Sequence, residues 1–402
     1  MKPTAEEKKE YVLRLKKSLY GLKQSPRCWN KKFAEELKKL GFEADVNDPC
    51  LFWIRNGKFQ GFLIIYVDDM IFAGNDLKIL NRYIKKLKRI FKMKDMGEPT
   101  KFLGLNVKRD RKNRILTLDQ SDYCQEILKR FNMQDCNSTQ IPMCPKSKKP
   151  EKVPEKKKRK KYNKKERRRM NRLNQTKFDG APFPYREAIG SLLYLGNATR
   201  PDIMFAINWL SRKQCNPTQA DWQAVKQIFR YLKGTTRLGL KYTGTQKGIV
   251  GHSDASFGDC DDTKKSTAGV LVRLNGDLVT WSSKRQGTVA NSTCEAEYVA
   301  INSCLLESVG VNETVRRATG KRLDPILIYG DNTASLKCTN KPGSPKLKHL
   351  TEIKVYTILD YVIKNKVKLE WVESAEQDAD ILTKALPREA FQKLRDRLLS
   401  VV

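Results

Sequence analysis

One stretch sets how many folding blocks this chain can have. Residues 146–174 hold 16 Lys/Arg against 3 Asp/Glu and almost no apolar side chains. Such a stretch has nothing to bury and its like charges repel, so it is expected to stay disordered outside any core. It divides the 402 residues into a first block ending near Pro145 and another opening near Phe183, each long enough to enclose its own core. The expected organisation is a first domain over 1–145, a basic linker over 146–182, helices over 183–245, a β-rich domain over 246–390 and a tail over 391–402. The run Lys156–Lys161 is a candidate nuclear import signal or phosphate-binding arm; the bland reading is a solvated charge run.

The basic stretch supplies +13 of a formal net charge of +34, so the remaining blocks are basic as well. A surplus of that size favours a polyanionic partner, nucleic acid first, because each neutralised phosphate releases condensed counterions. The competing reading is charge that merely keeps a protein soluble. Ten scattered cysteines, no CxxC and two histidines argue against a zinc ribbon or finger. No apolar run approaches the length of a membrane span, and Met1–Glu6 lacks the apolar core of a signal peptide. The expected setting is intracellular, in a cytoplasmic particle or the nucleus, with no membrane partner.

Periodicity places the elements. Apolar residues recur at helical spacing from Trp29 through Phe33 and Leu37 to Leu40, and Gly41 follows as a stop. Leu51–Ile54 and Phe62–Val67 read as strands around an Asn56-Gly57 turn. Asp68-Asp69 then interrupts an apolar run that resumes at Met70–Gly74, and Leu77–Phe91 is a basic amphipathic helix. After the linker, helices are expected at Tyr185–Leu195, Ile203–Leu210 and Ala220–Leu232. Strands follow at Gly248–Ser253 and on both sides of Asn275-Gly276, then a helix at Cys294–Ser308, a doubly buried strand at Ile326–Tyr329, a helix at Ile353–Ile363 and a strand at Val367–Val372. The order β-β-β-α-β-α-α-β, followed by a short acidic segment, fits a mixed sheet with helices on its faces.

Two sets of carboxylates stand out. Asp68 and Asp69, adjacent at a hairpin tip, repel each other unless a cation sits there, and a divalent metal would resolve that conflict. Taken on its own, the dipeptide reads better as an ordinary polar turn, since Asp favours turns. In the last block Asp254 ends a strand, Glu297 lies on a helix, Asp331 follows a buried strand and Asp380 lies in a late acidic segment. Each alone reads as a cap or a surface acid.

Their context resembles one family. Ser18-Leu19-Tyr20-Gly21-Leu22-Lys23-Gln24-Ser25-Pro26-Arg27-Cys28-Trp29, then Tyr66-Val67-Asp68-Asp69, then Phe91–Pro99 and Phe102–Leu105, resemble in order the reverse transcriptase of copia-type LTR retrotransposon Pol polyproteins. Pro184–Tyr194 and Ala198–Ile203 resemble that family's connection region, and the four late carboxylates resemble those of its RNase H. The fold class this implies is a multidomain α+β and α/β chain. It comprises a partial reverse-transcriptase palm and thumb, a helical connection, and an RNase H-like mixed five-stranded sheet with flanking helices.

The resemblance implies roles for particular residues. Asp68 and Asp69 would be polymerase metal ligands, and Lys23, Gln24, Ser25 and Arg27 would grip nucleic acid. A third polymerase carboxylate belongs on a strand well before Ser18, where the only acids are Glu6, Glu7 and Glu10 in a charged run, so no independent polymerase activity is expected. Asp254, Glu297, Asp331 and Asp380 would hold two magnesium (or manganese) ions and cleave RNA in RNA–DNA hybrids. The partners implied are such hybrids, an RNA template and a DNA primer. Glu295 competes with Glu297, and Asp378 with Asp380. His349 matches a Lys-His that would assist product release, although the loop after it departs from the family by an insertion and by Tyr356 in place of a histidine. The rival is a non-catalytic transposon remnant, or a recruited protein, that binds nucleic acid by charge.

Overall fold

A computed structural model describes residues 14–19, 21–46, 48–145, 183–338 and 352–402. The basic segment 146–182 and His349 lie outside the described residues. Tertiary contacts gather the chain into two compact units: residues up to Pro99 with Glu313–Arg322, and Thr100–Asn312 with Leu323–Val402.

The first unit is a four-stranded antiparallel sheet in the order β1 (Glu43–Ala44), β2 (Leu51–Asn56), β3 (Phe59–Tyr66), β4 (Asp69–Gly74), with helices α1 (Ser25–Lys39) and α2 (Leu77–Ile90). Helix α1 ends where the sequence put its stop. Gly41 adopts φ +89°, its N–H bonds the Lys38 carbonyl, and the Phe42 N–H bonds the Leu37 carbonyl. That closes a Schellman motif whose two hydrophobic partners, Leu37 and Phe42, are both buried. Asp76 caps α2 by accepting from the Ile79 N–H at 3.0 Å. Along β3, Phe59, Leu63 and Ile65 are buried while Ile64 and Tyr66 are exposed, the period-two pattern of a sheet covered on one face. Phe33, Leu37, Phe52, Tyr83 and Leu87 complete that core.

The second unit contains two sheets. One runs β14 (Ser400–Val401), β8 (Leu238–Tyr242), β7 (Ile115–Asp119), β6 (Leu105–Asp110), β5 (Lys101–Phe102). The other runs β11 (Asp277–Arg285), β10 (Thr267–Leu274), β9 (Ile249–Ser256), β12 (Ile326–Gly330), β13 (Val367–Trp371), with β9, β10 and β11 antiparallel and β9, β12 and β13 parallel. Helices α3 (Ser121–Arg130), α4 (Tyr185–Ala198), α5 (Met204–Ser211) and α6 (Gln219–Gly234) contribute to one core. Helix α7 (Thr293–Thr319) and α9 (Glu352–Ile363) lie in another, with short α8 (Thr333–Cys338) between them in the chain and α10 (Arg388–Leu398) near its end. Strand β10 shows why the second sheet is central: Val270 and Val272 join the core of α7 and α9, while Leu271 joins that of α4–α6. This is the expected mixed five-stranded sheet with flanking helices, in the expected element order.

Three expectations about organisation differ from what is observed. Residues 100–145 group with the later part of the chain, not with 1–99, because β7 pairs with β8 through Leu116↔Tyr242 and Leu118↔Leu240. Residues 391–402 are no loose tail: Phe391, Leu394 and Leu398 of α10 are buried, and β14 pairs with β8. In β12 Ile326, Ile328 and Gly330 are buried, whereas Leu327 and Tyr329 are half-exposed, so one face of that strand is incompletely covered.

The Thr199–Ile203 motif is structural. Arg200, 2% exposed, forms a bidentate pair with Asp202 at 3.0 and 2.8 Å and donates to the Thr235 carbonyl, and the Tyr231 hydroxyl donates to Asp202 at 2.6 Å. Opposite charges and full hydrogen bonding make that burial tolerable.

Candidate active site

Four elements of the second unit carry the late carboxylates. Asp254 is near the end of β9, opposite Gly269 of β10; Glu297 is in the first turns of α7; Asp331 directly follows β12; Asp380 lies on a 3-10 turn, Asp378–Leu382. Parallel pairing of β9 with β12 brings two strand ends to one edge of the sheet, where Asp254 and Asp331 project. Two glycines let the other elements approach. A Cβ on Gly251 would come within 2.5 Å of Cys304 on α7, and one on Gly269 within 2.6 Å of Thr383 and 2.9 Å of the Ala379 carbonyl. Only a residue without a side chain allows the helix and the turn that close to the sheet.

Asp254, Glu297 and Asp331 each offer an oxygen, and these lie within 4.8 Å of one another. Asp254 is 1% and Glu297 7% exposed, while Asp331 is half-buried. Burial, then repulsion from Asp254 and Asp331, pushes the Glu297 carboxyl up to about 9. Burial and Asp254 likewise push Asp380 up to about 7. Carboxylates crowded to the point of retaining protons are what a divalent cation relieves, so this donor set fits such an ion. Around them, Ser374 donates to Asp331 at 2.7 Å, Thr383 donates to Asp254, and the Lys384 ammonium lies 2.8 Å from Asp380 Oδ1 and 3.4 Å from Asp254 Oδ2.

The two competing acids have other partners. Glu295 accepts from the Asn291 backbone and side chain at 2.7 and 3.1 Å and so ties down the chain entering α7. Asp378 is buried among Arg273 at 3.0 Å, Arg397 at 3.1 Å and His252 at 4.0 Å. Beside it, Gln377 donates to the Ser253 carbonyl and meets His252 Nδ1, so this network clamps the acidic turn to β9. Burial lowers the His252 pKa and keeps the ring neutral. Sequence reasoning did not single out Gln377, Thr383 or Lys384. The last two follow Asp380 by three and four residues, and that proximity is the one signal that could have pointed at them.

In the first unit Tyr66 pairs with Asp69 across a two-residue loop, Val67-Asp68, and both aspartates are exposed. Val67 takes φ +56°, a conformation a β-branched residue rarely adopts. Its carbonyl accepts from the Trp29 indole N–H at 2.6 Å, which pins the tip to α1. No third acid joins Asp68 and Asp69 within metal-ligand reach among the described residues. Lys23, Gln24 and Arg27 are exposed around the start of α1, whereas the Ser25 hydroxyl donates to the Leu19 carbonyl.

Comparisons with known proteins come from both halves. Residues 2–145 match the family model of reverse transcriptase (RNA-dependent DNA polymerase). The chain is 32% identical over 391 residues to the retrovirus-related Pol polyprotein from transposon TNT 1-94 of Nicotiana tabacum, an alignment spanning 97% of this chain and 28% of that protein. It is 31% identical to a transposon Ty5-1 protein of Saccharomyces cerevisiae over 74% of this chain and 90% of that protein. The foamy viral protease-reverse transcriptase solved with an RNA/DNA hybrid superposes with TM-score 0.45 and 14% identity, covering 89% of this chain and 39% of that one. The chain thus spans about a quarter of the length of the long Pol relatives it matches.

Proposed function

The chain belongs to the copia-type retrotransposon Pol family, and from that premise we propose that its second unit is a divalent-metal-dependent ribonuclease H that cleaves the RNA strand of RNA–DNA hybrids. The observation that carries this reading is the convergence of Asp254, Glu297 and Asp331 within 4.8 Å, with Asp380 beside them. Magnesium or manganese held there supplies positive charge for the scissile phosphate and a nucleophilic water. The chain's own residues do the rest. Asp254 and Asp331 fix ligands at the ends of two parallel strands, and Glu297 reaches in from a helix that Gly251 lets sit against the sheet. The basic charge of the chain holds the hybrid's phosphates in a salt-dependent way.

We further propose that the 402-residue chain tested by itself does not extend primers, since Asp68 and Asp69 stand at an exposed tip without a third acid among the described residues. A positioned pair of carboxylates short of a ligand holds metal weakly.

The experiment is cleavage of a labelled RNA–DNA hybrid by the purified chain with magnesium, alongside Asp254→Asn. Expected is hybrid-specific RNA cleavage lost in the variant. Hybrid binding without cleavage would favour the alternative, a transposon-derived protein that binds nucleic acid by charge. A parallel primer-extension assay on an RNA template tests the second proposal; incorporation abolished by Asp68→Asn overturns it.

A further inference from the structure

We infer that Lys384 is a resident cation of the carboxylate site: its ammonium holds the Asp254–Asp380 pair, so that the protein free of nucleic acid takes up one divalent ion, among Asp254, Glu297 and Asp331, rather than two. The inference rests on the metal-site reading above and adds the occupancy of that site.

The geometry is specific. Lys384 Nζ lies 2.8 Å from Asp380 Oδ1 and 3.4 and 3.5 Å from the two oxygens of Asp254. The three acids whose oxygens converge within 4.8 Å do not include Asp380, whose carboxylate accepts from the Lys384 ammonium instead. Asp254 is therefore shared. It faces Glu297 and Asp331 as a metal donor and faces Asp380 through a lysine. The lysine is held in place by its backbone as well, because the N–H groups of Thr383 and Lys384 both bond the Asp380 carbonyl at 3.1 Å.

Charge decides the consequence. With all four carboxylates ionised around a bound metal, one ammonium and one divalent ion leave a single net negative charge. A second divalent ion held by Asp254 and Asp380 would compete for the oxygens the ammonium already occupies, and like-charge repulsion in a half-buried site would oppose it. The second ion can enter only if the ammonium leaves. The Lys384 side chain is 38% exposed and has a flexible four-carbon stem, so it has somewhere to go, and a nucleic-acid phosphate is the matching acceptor.

The test is a titration of the full chain with Mn²⁺ alone, free ion being read by electron paramagnetic resonance, at neutral pH and low salt without nucleic acid. The wild type is expected to bind one ion, removed by Asp254→Asn. Lys384→Met is expected to bind two, or to bind a second at least tenfold more tightly than the wild type. Lys384→Arg, which keeps the charge, is expected to behave as wild type, with circular dichroism confirming that each variant is folded. Matching titrations of wild type and Lys384→Met, with Asp254→Asn still abolishing binding, overturn the role of Lys384 and leave the metal site standing. Two tight ions in the wild type do the same. Binding indifferent to Asp254→Asn overturns the metal-site reading and the inference with it.

Discussion

Removing the charge of Glu297 should stabilise the metal-free protein, increasingly so as pH rises. Its carboxyl is pushed from 4.5 to about 9 by burial and by Asp254 and Asp331, against smaller help from the Ala255 N–H and Lys384. Below pH 4.5 both folded and unfolded chains hold the proton and nothing is lost. Between about 4.5 and 9 the unfolded chain releases it and the folded chain keeps it, so stability falls as pH rises. At pH 7 the interval is 2.5 pH units, and at about 1.36 kcal/mol per unit the cost is about 3 kcal/mol. For a unit of this size that is roughly 6–12 °C in Tm. Glu297→Gln keeps the shape of the protonated acid and removes its ionisation. The assay is thermal unfolding of wild type and variant in EDTA at pH 5, 7 and 9. The variant's advantage should be small at pH 5, about 3 kcal/mol at pH 7 and larger at pH 9. Asp380, raised to about 7, adds a slope of the same sign, while neutral His252 adds the opposite one below its ordinary value. Both remain in the variant, so the difference between the curves isolates Glu297. Magnesium should reverse the ranking at pH 7, because an ion that binds only the folded wild-type site stabilises it by mass action. An advantage for Glu297→Gln that is flat across pH would refute the crowded-carboxylate account.

Other expectations follow from the same contacts. Asp202→Ala leaves Arg200 buried without its partner and should cost about 3–5 kcal/mol in urea unfolding, whereas Tyr231→Phe should cost only about 1–3 kcal/mol. Gly269→Ala forces a methyl against Thr383 and the Ala379 carbonyl; it should cost roughly 1–3 kcal/mol and weaken Mn²⁺ binding, since the displaced turn carries Asp380 and Thr383 bonds Asp254. Asp378→Asn should lower stability by about 2 kcal/mol through Arg273 and Arg397, yet leave Mn²⁺ stoichiometry unchanged, which separates it from the ligands.

Much of the architecture was legible because it rests on local rules. The period-two burial along β3, the Gly41 stop, the Asn275-Gly276 turn between β10 and β11, and the element order around Asp254, Glu297 and Asp331 all follow from patterns that neighbouring residues impose on one another. The order of motifs along the chain fixed the family, which the relatives then showed.

The tertiary structure decided what depends on residues far apart in sequence. Composition gave no hint that 100–145 belongs with the later unit, since that is settled by a strand pairing between Leu116 and Tyr242. Periodicity could not choose between Asp378 and Asp380. Two residues apart on one short turn, they differ only in what the fold sets opposite them: Arg273 and Arg397 for one, Lys384 and Asp254 for the other. A sequence names which side chains carry charge. How near the charges stand, and hence whether a carboxylate is a cap, an ion pair or a metal ligand, is a distance, and distances across a core are set by packing.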